Sequence, residues 1–102
     1  MKEKFYKDYY LIKTTYAVNN RISLSLQNLE EYYADITINI PNILLQENEI
    51  ILNNDLCDLA EKFEELGLYK IVNIIPYNYG RYMIAELNMD VLNKYAVEIK
   101  EV

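Results

Sequence analysis

The sequence ISLSLQ at residues 22–27 alternates apolar and polar side chains without a break. Successive side chains of an extended strand point to opposite faces, so Ile22, Leu24 and Leu26 would share one face and the polar residues the other. A period of two residues is the pattern of a strand with one buried face. The stretch therefore predicts a β-strand that packs against a core, and it is the clearest strand in the chain.

The segments on either side extend this strand into a sheet. Residues 9–18 are rich in aromatic and β-branched types, which favour strands, and Asn19-Asn20 tolerates the positive φ of a tight hairpin turn. Residues 32–40 alternate again and end at Pro41, which cannot donate to a strand ladder. These three segments predict an antiparallel meander.

The second half of the chain mixes strands with helices. Glu49–Leu52 predicts a short strand, and the segments 68–77 and 81–87 predict two more, joined at Asn78-Tyr79-Gly80. Between them, Asn53-Asn54-Asp55 offers the capping chemistry of a helix start. A helical repeat of apolar residues follows and ends at a C-cap glycine: Leu56, Leu59, Ala60, Phe63, Leu66 and then Gly67.

The C-terminal region completes the predicted fold. Asp90 is a candidate cap for a short helix, and residues 97–102 form either a frayed end or an edge strand. The whole predicts a single domain over residues 1–102 of the α+β class. We expect an antiparallel sheet of about five strands, with one main helix packed on one face and a short C-terminal helix.

Composition excludes several classes of protein. The chain has 102 residues, 52% of them hydrophobic, with only 2 Gly and 2 Pro, so it is not disordered or collagen-like. It contains no His, which removes Ser-His-Asp and Cys-His catalysis and all His-ligated metal sites. Its single Cys57 allows no internal disulfide. No apolar run approaches the ~20 residues of a membrane span, and no signal peptide is visible, so we expect a cytoplasmic protein.

The negative charge is concentrated in the middle of the chain. The net charge is −6, but residues 22–69 carry ten carboxylates against the single cation Lys62, whereas residues 1–21 carry a net positive charge. Such a field repels phosphates and attracts basic protein surfaces. Direct binding of nucleic acid is therefore disfavoured, and a basic nucleic-acid-binding protein is the expected partner.

Catalytic and metal sites are weaker interpretations of the same carboxylates. Glu61 with Glu64 or Glu65 lies within one helical turn, but a solvated helix face does not bring two carboxylates together in a cleft. Asp55, Asp58 and Glu61 lack the spacing and the loop glycine of a calcium loop. Cys57 has no His beside it, which predicts an inert, partly buried thiol. We therefore expect no enzyme activity, no cofactor and no metal.

The sharper hypothesis is that the carboxylates mimic phosphates in the basic groove of a partner protein. Eleven tyrosines against two phenylalanines also suggest aromatic anchors, with Tyr32 on the apolar face of its strand and Tyr33 on the opposite one. Two alternatives stay open, since acidic helices often serve only solubility and tyrosine is a good strand former. The candidate partner-binding residues are Asp35, Glu47, Glu49, Asp58, Glu61, Glu64, Glu65, Tyr77, Tyr79 and Tyr82.

Two passages carry a resemblance to a known family. One runs from ISLSL at 22–26 to YADITINIP at 33–41, and the other runs from Glu47-Asn48-Glu49 to Asn53-Asn54 before an acidic helix. They resemble small domains of Gram-positive and Bacteroidetes genomes, often carried by conjugative elements and prophages, over about residues 20–90. The chain departs from that pattern at Leu45-Gln46 and at Leu56-Cys57.

The resemblance implies a setting and carries over no catalytic residues. Small acidic proteins of mobile elements resemble inhibitors of host defence, especially anti-CRISPR proteins that occupy the basic groove of a nuclease effector. This setting favours a non-enzymatic inhibitor of a defence nuclease, with a CRISPR effector as the expected partner. The alternative is an accessory module of a mobile element that acts by sheet-edge pairing or as a homodimer.

Overall fold

The computed structural model of the protein describes residues 2–99, which form eight strands and two helices. The elements, in chain order, are β1 (Tyr10–Thr15), β2 (Ile22–Gln27), β3 (Tyr32–Asp35), β4 (Thr37–Ile38), β5 (Glu49–Leu52), a 3₁₀ turn (Asn54–Leu56), α1 (Leu59–Glu65), β6 (Tyr69–Tyr77), β7 (Gly80–Leu87), α2 (Met89–Tyr95) and β8 (Val97–Glu98). Sheet one has the order β3-β2-β1-β8 and sheet two the order β4-β5-β7-β6. The α+β class is confirmed, but two four-stranded sheets replace the expected single sheet of about five strands.

The chain passes from sheet one to sheet two at Ile36, within the segment 32–40 that the sequence predicts as one strand. The Ile36 N–H donates to the Leu24 carbonyl of β2 at 2.8 Å, whereas the Ile36 carbonyl accepts from the N–H of Asn53, directly after β5, at 2.9 Å. Ile36 is fully buried. The two halves of the predicted strand therefore pair with different sheets, and this is why the single sheet divides.

The predicted meander of β1, β2 and β3 is antiparallel, as expected. The turn at Asn19-Asn20 belongs to a loop closed by a 2.9 Å hydrogen bond from the Tyr16 N–H to the Arg21 carbonyl. β8 lies on the other side of β1 and is parallel to it. Of the two options for residues 97–102, Val97–Glu98 is thus an edge strand, and residues 100–102 lie outside the described residues.

The main core joins both sheets and both helices. It includes Leu11, Leu24 and Leu26 of sheet one, Ile50, Leu52 and Leu87 of sheet two, Phe63 of α1 and Leu92 of α2. Phe63 is completely buried, with the rings of Phe5 and Tyr6 at centroid distances of 5.8 and 5.3 Å. Burial of a side chain of this size is worth about 1.5–3 kcal/mol. The burial of Phe63 fixes which face of α1 is turned toward solvent.

A second, smaller core lies on the other face of sheet two. It is centred on Ile43, Ile51 and Ile84. Because both faces of sheet two are covered at β5, its consecutive residues Ile50, Ile51 and Leu52 are all buried and do not alternate. Arg21 holds the covering loop in place, since its guanidinium donates to the carbonyls of Ile40 at 3.0 Å and Ile43 at 2.5 Å.

The main helix is shorter than the predicted one. Cys57 has a φ of 52°, which separates the 3₁₀ turn from α1. The predicted C-cap at Gly67 is confirmed, because its φ of 86° lets the Leu68 N–H donate to the Phe63 carbonyl at 3.1 Å. α1 and α2 have seven residues each, so the helices are equal in length.

The predicted C-terminal helix is present, with a different cap. Asn88, not Asp90, precedes α2, and its side-chain oxygen accepts from the N–H groups of Asp90 and Val91. Asp90 lies in the first turn, where a carboxylate interacts favourably with the helix dipole. Neither this helix nor α1 is long and apolar enough to cross a membrane, and no other helix within residues 2–99 is.

Candidate protein-binding surface

Three carboxylates of the α1 region form what we call the acidic helix face. Asp58, Glu61 and Glu65 are exposed and follow one another at spacings of three and four residues, which places them on one side of the helix. Within residues 2–99, the one ion pair joins Lys4 to Asp8, far from this face in sequence. The three carboxylates therefore present their charge to solvent without a paired cation from the described part of the chain.

Glu64 has a different role from its helical neighbours. It is half-buried, and its carboxylate accepts a hydrogen bond from the backbone N–H of Ile71 in β6 at 2.6 Å. Burial, and secondarily the Glu64 carboxylate, raises the pKa of Tyr69 above its ordinary value. The structure thus commits Glu64 to the packing of α1 on β6 rather than to the acidic helix face.

Glu47 and Glu49 lie in another part of the molecule, Glu47 on the loop that covers the second core and Glu49 at the start of β5. With Asn20 and Arg21 they line a groove of about 290 Å³ that none of the α1 residues touches. Glu49 caps its own loop, since its carboxylate accepts from the Gln46 N–H at 2.7 Å. The structure therefore does not bring these two predicted residues together with the acidic helix face.

Asp35 borders a groove next to the start of α1, which we call the Asp35/Asp55 groove. It has a volume of about 280 Å³ and lies between the β3 residues Tyr32, Tyr33 and Asp35 and the helix-side residues Asn53, Asp55 and Leu59. Both aspartates are exposed. The groove therefore continues the negative surface from the 3₁₀ turn across to β3.

One asparagine fixes the two sides of this groove relative to each other. The side-chain nitrogen of Asn53 donates to the Asp35 carbonyl at 3.0 Å, and its side-chain oxygen accepts from the Asp55 N–H at 3.1 Å. Both bonds go to backbone atoms, so neither occupies an aspartate carboxylate, and the Asp35 carboxylate lies beside the Tyr32 hydroxyl. The groove is thus a built feature of the fold.

Tyrosines cover the β3 side of the groove. The expectation that Tyr32 lies on the apolar face is wrong, since Tyr32 and Tyr33 are 54% and 37% exposed. A register shift at Leu26/Gln27 of β2 interrupts the alternation there. Tyr33 stacks on Tyr9 with ring centroids 4.5 Å apart, and the Tyr9 hydroxyl donates to Glu31 at 2.6 Å. This hydrogen bond raises the pKa of Tyr9 to about 12.

The predicted aromatic patch at the second hairpin is reduced to one residue. Tyr77 and Tyr82 are half-buried against the second core, and the Tyr77 hydroxyl accepts from Asn42 at 3.1 Å. Tyr79 is completely exposed and has a φ of 66°. With Asn78 at a φ of 46° it makes a two-residue turn with both central residues left-handed. Tyr79 alone is therefore available as an anchor.

Sequence reasoning missed four residues of the surface: Tyr32, Tyr33, Asn53 and Asp55. The run Asn53-Asn54-Asp55 predicted a helix cap. It did not predict that the Asn53 side chain also bonds to the backbone of β3. Cys57 is exposed, so the prediction of a partly buried thiol is wrong. Among residues 2–99, no three His, Cys, Asp or Glu side chains are grouped closely enough to hold a metal ion.

Comparisons with family models, with curated proteins and with solved structures found no match to this chain. The resemblance to small domains of mobile elements therefore stays a prediction from the sequence. Functional inference rests on the surface itself.

Proposed function

We propose that the protein is a non-enzymatic inhibitor of a host defence nuclease, of the anti-CRISPR type, that binds the nuclease's basic nucleic-acid groove. The observation that carries this proposal is the acidic helix face, whose three exposed carboxylates have no cation partner in the described chain. Residues three and four apart on a helix have Cβ atoms about 5–6 Å apart. They therefore form a line of negative charge that can occupy a groove built for phosphates.

The continuity of the surface supports the same function. The acidic helix face follows directly after Asp55, which borders the Asp35/Asp55 groove. Asp58 precedes α1 and Glu61 lies in its first turn, where the helix dipole favours carboxylates, whereas Glu65 lies in the last turn, where it does not. A basic partner would complement the negative charge of this surface on binding.

The experiment is a DNA-binding and cleavage assay with a panel of purified, guide-loaded CRISPR nucleases. The test variant is D58N/E61Q/E65Q, and the matched control E3Q/E86Q/E98Q removes the same charge from exposed positions elsewhere. We expect the native chain and the control to block DNA binding. Each exposed charge pair contributes about 0.2–1 kcal/mol, so the loss of three should weaken inhibition by about threefold to a hundredfold.

Two results would contradict the proposal. One is inhibition of none of the nucleases, and the other is inhibition that D58N/E61Q/E65Q retains in full. Mimicry also requires that inhibition weaken steeply between low and physiological salt, because the contacts are exposed charge pairs.

The second candidate is an accessory module that pairs with another protein or with its own copy. A mostly apolar groove of about 330 Å³ favours it, since Ile12, Leu29, Val97 and Ile99 line that groove beside the edge strand β8. Leu29 is completely exposed there. Binding through this groove would depend little on salt, which separates it from mimicry.

The long edge strand β6 is poorly suited to such pairing. Tyr77 and Gly80 pair across the hairpin, so the backbone of Tyr77 is directed toward β7. Backbone N–H groups point alternately to the two sides of a strand, and the backbone nitrogens of Pro76 and Ile74 therefore lie on the outer edge. Pro76 has no N–H, and the Ile74 N–H is bonded to the Asn73 side chain at 2.8 Å. The Ile71 N–H is likewise not free, because it donates to the Glu64 carboxylate. An incoming strand would find no free donor at these positions.

A further inference from the structure

We infer that the Asp35/Asp55 groove binds the side chain of an arginine on the partner protein. The inference rests on the proposed function in one respect, namely that the partner surface is basic. It adds the particular residue type that the groove selects.

The negative charge of the groove comes from both sides. Asp35 ends β3 and Asp55 lies in the 3₁₀ turn, and the Asn53 side chain holds their backbones together at 3.0 and 3.1 Å. Neither carboxylate takes part in an ion pair within residues 2–99. A cation between the two sides would therefore meet two carboxylates without a paired cation, that of Asp35 beside the Tyr32 hydroxyl, on backbone positions that Asn53 already fixes.

The aromatic residues of the groove select among cations. Tyr33 is held by its stack on Tyr9, and Tyr32 is half exposed beside the Asp35 carboxylate. Burial, and secondarily that carboxylate, raises the pKa of Tyr32, so its hydroxyl stays protonated at neutral pH. The ring faces of tyrosines attract cations, and planar guanidinium groups both stack on such rings and bond to carboxylates through a fork of N–H donors.

The apolar floor accommodates the stem of the same side chain. Leu56 is buried, and Ala34 and Leu59 are half-buried at the base of the groove. Arginine buries its aliphatic stem along such surfaces while its charged end bonds to polar groups. Lysine would gain the charge contact but not the fork or the stacking.

The test uses short peptides and the intact chain. Acetyl-Gly-Arg-Gly-amide is titrated into the ¹⁵N-labelled protein, with chemical shifts as the readout, beside the same peptide carrying citrulline or lysine. Citrulline has the shape of arginine without its charge. We expect saturable shifts confined to residues 32–35 and 53–59, none with citrulline, and binding of lysine about two- to fivefold weaker, as an exposed cation–π contact implies.

Two variants of equal charge locate the site. D35N/D55N keeps the bonds to Asn53, because these go to backbone atoms, and should weaken arginine binding about two- to thirtyfold. E86Q/E98Q removes the same charge at exposed positions that do not line the groove and should bind as the native chain does. Unchanged shifts of core amides such as those of Leu24 and Leu92 show that each variant is folded.

Four results would overturn the inference: no shifts, shifts that D35N/D55N retains, equal binding of lysine and arginine, and equal binding of citrulline. None of them depends on a nuclease, and the D58N/E61Q/E65Q variant used to test the proposed function leaves the groove intact. Failure of the inhibitor proposal and failure of the arginine site are therefore distinguishable.

Discussion

The carboxylate of Glu64 in α1 and the backbone N–H of Ile71 in β6 are joined by a 2.6 Å hydrogen bond that links the helix to the outer edge of sheet two. Glu64→Ala would leave the Ile71 N–H without this partner. Hydrogen bonds to charged groups contribute about 1.5–3 kcal/mol, and we expect a loss of this order in the free energy of unfolding, measured by urea denaturation.

Glu65→Ala provides the control on the same helix, since Glu65 is exposed and makes no such bond. We expect a change within about 0.5 kcal/mol for this surface position. Light scattering of Glu64→Ala should also show some self-association, because the edge of β6 gains a free donor. Equal stability of the two variants would mean that Glu64 is ordinary surface.

A second prediction concerns the alkaline limit of stability. The Tyr69 hydroxyl donates to the Ala60 carbonyl at 2.5 Å, and burial raises the pKa of Tyr69 above the unfolded value of about 10. Above pH 10 the unfolded chain releases this proton first, so stability is complete below that pH and falls as pH rises toward the folded pKa. Tyr69→Phe should lose about 0.5–1.5 kcal/mol at pH 7.

The variant should also show a shallower fall of stability above pH 10 than the native chain. Urea unfolding at pH 8, 10 and 11 measures both effects. A fall of the same steepness in both proteins would assign the alkaline loss to other groups.

The strands and both helices were predictable from the sequence because period and capping residues are local signals. The division into two sheets was not. The alternation of apolar and polar residues through Ile36 is the same whether the segment pairs with β2 or with β5. The two sheets are distinguished only by the hydrogen bonds of Ile36, whose N–H bonds to β2 and whose carbonyl bonds to the residue after β5. Likewise, nothing in the helical repeat 56–66 indicates that Cys57 adopts a left-handed backbone.

The negative charge of the candidate surface was predictable from the sequence, but the residues that form the surface were not. Helical spacing located Asp58, Glu61 and Glu65 on one face. It could not show that Glu64 bonds to β6, since that contact depends on where β6 lies. The Asp35/Asp55 groove joins residues far apart in the chain, and only the tertiary fold brings them together.

A third prediction follows from the turn at Tyr79, whose φ of 66° is unfavourable for any residue with a Cβ. Because the ring is fully exposed, Tyr79→Gly loses no burial and should stabilise the protein by about 1 kcal/mol. Tyr79→Ala removes the ring but keeps the Cβ, so it should leave stability unchanged. Thermal unfolding of both variants tests this, and equal stability of the two would show that the turn is unstrained.

The fourth prediction separates the two functions of Asn53. Asn53→Asp keeps an oxygen that can accept the Asp55 N–H, but loses the donor that bonds the Asp35 carbonyl. Asn53→Ala loses both. Removal of an N-cap side chain costs about 0.5–2 kcal/mol, so Asn53→Ala should be destabilised by at least that amount and Asn53→Asp by less. Amide exchange should nonetheless speed up at β3 in both variants, because the tether between the two sides of the groove is broken in each. Slow exchange at β3 in Asn53→Asp would mean that the groove does not depend on this asparagine.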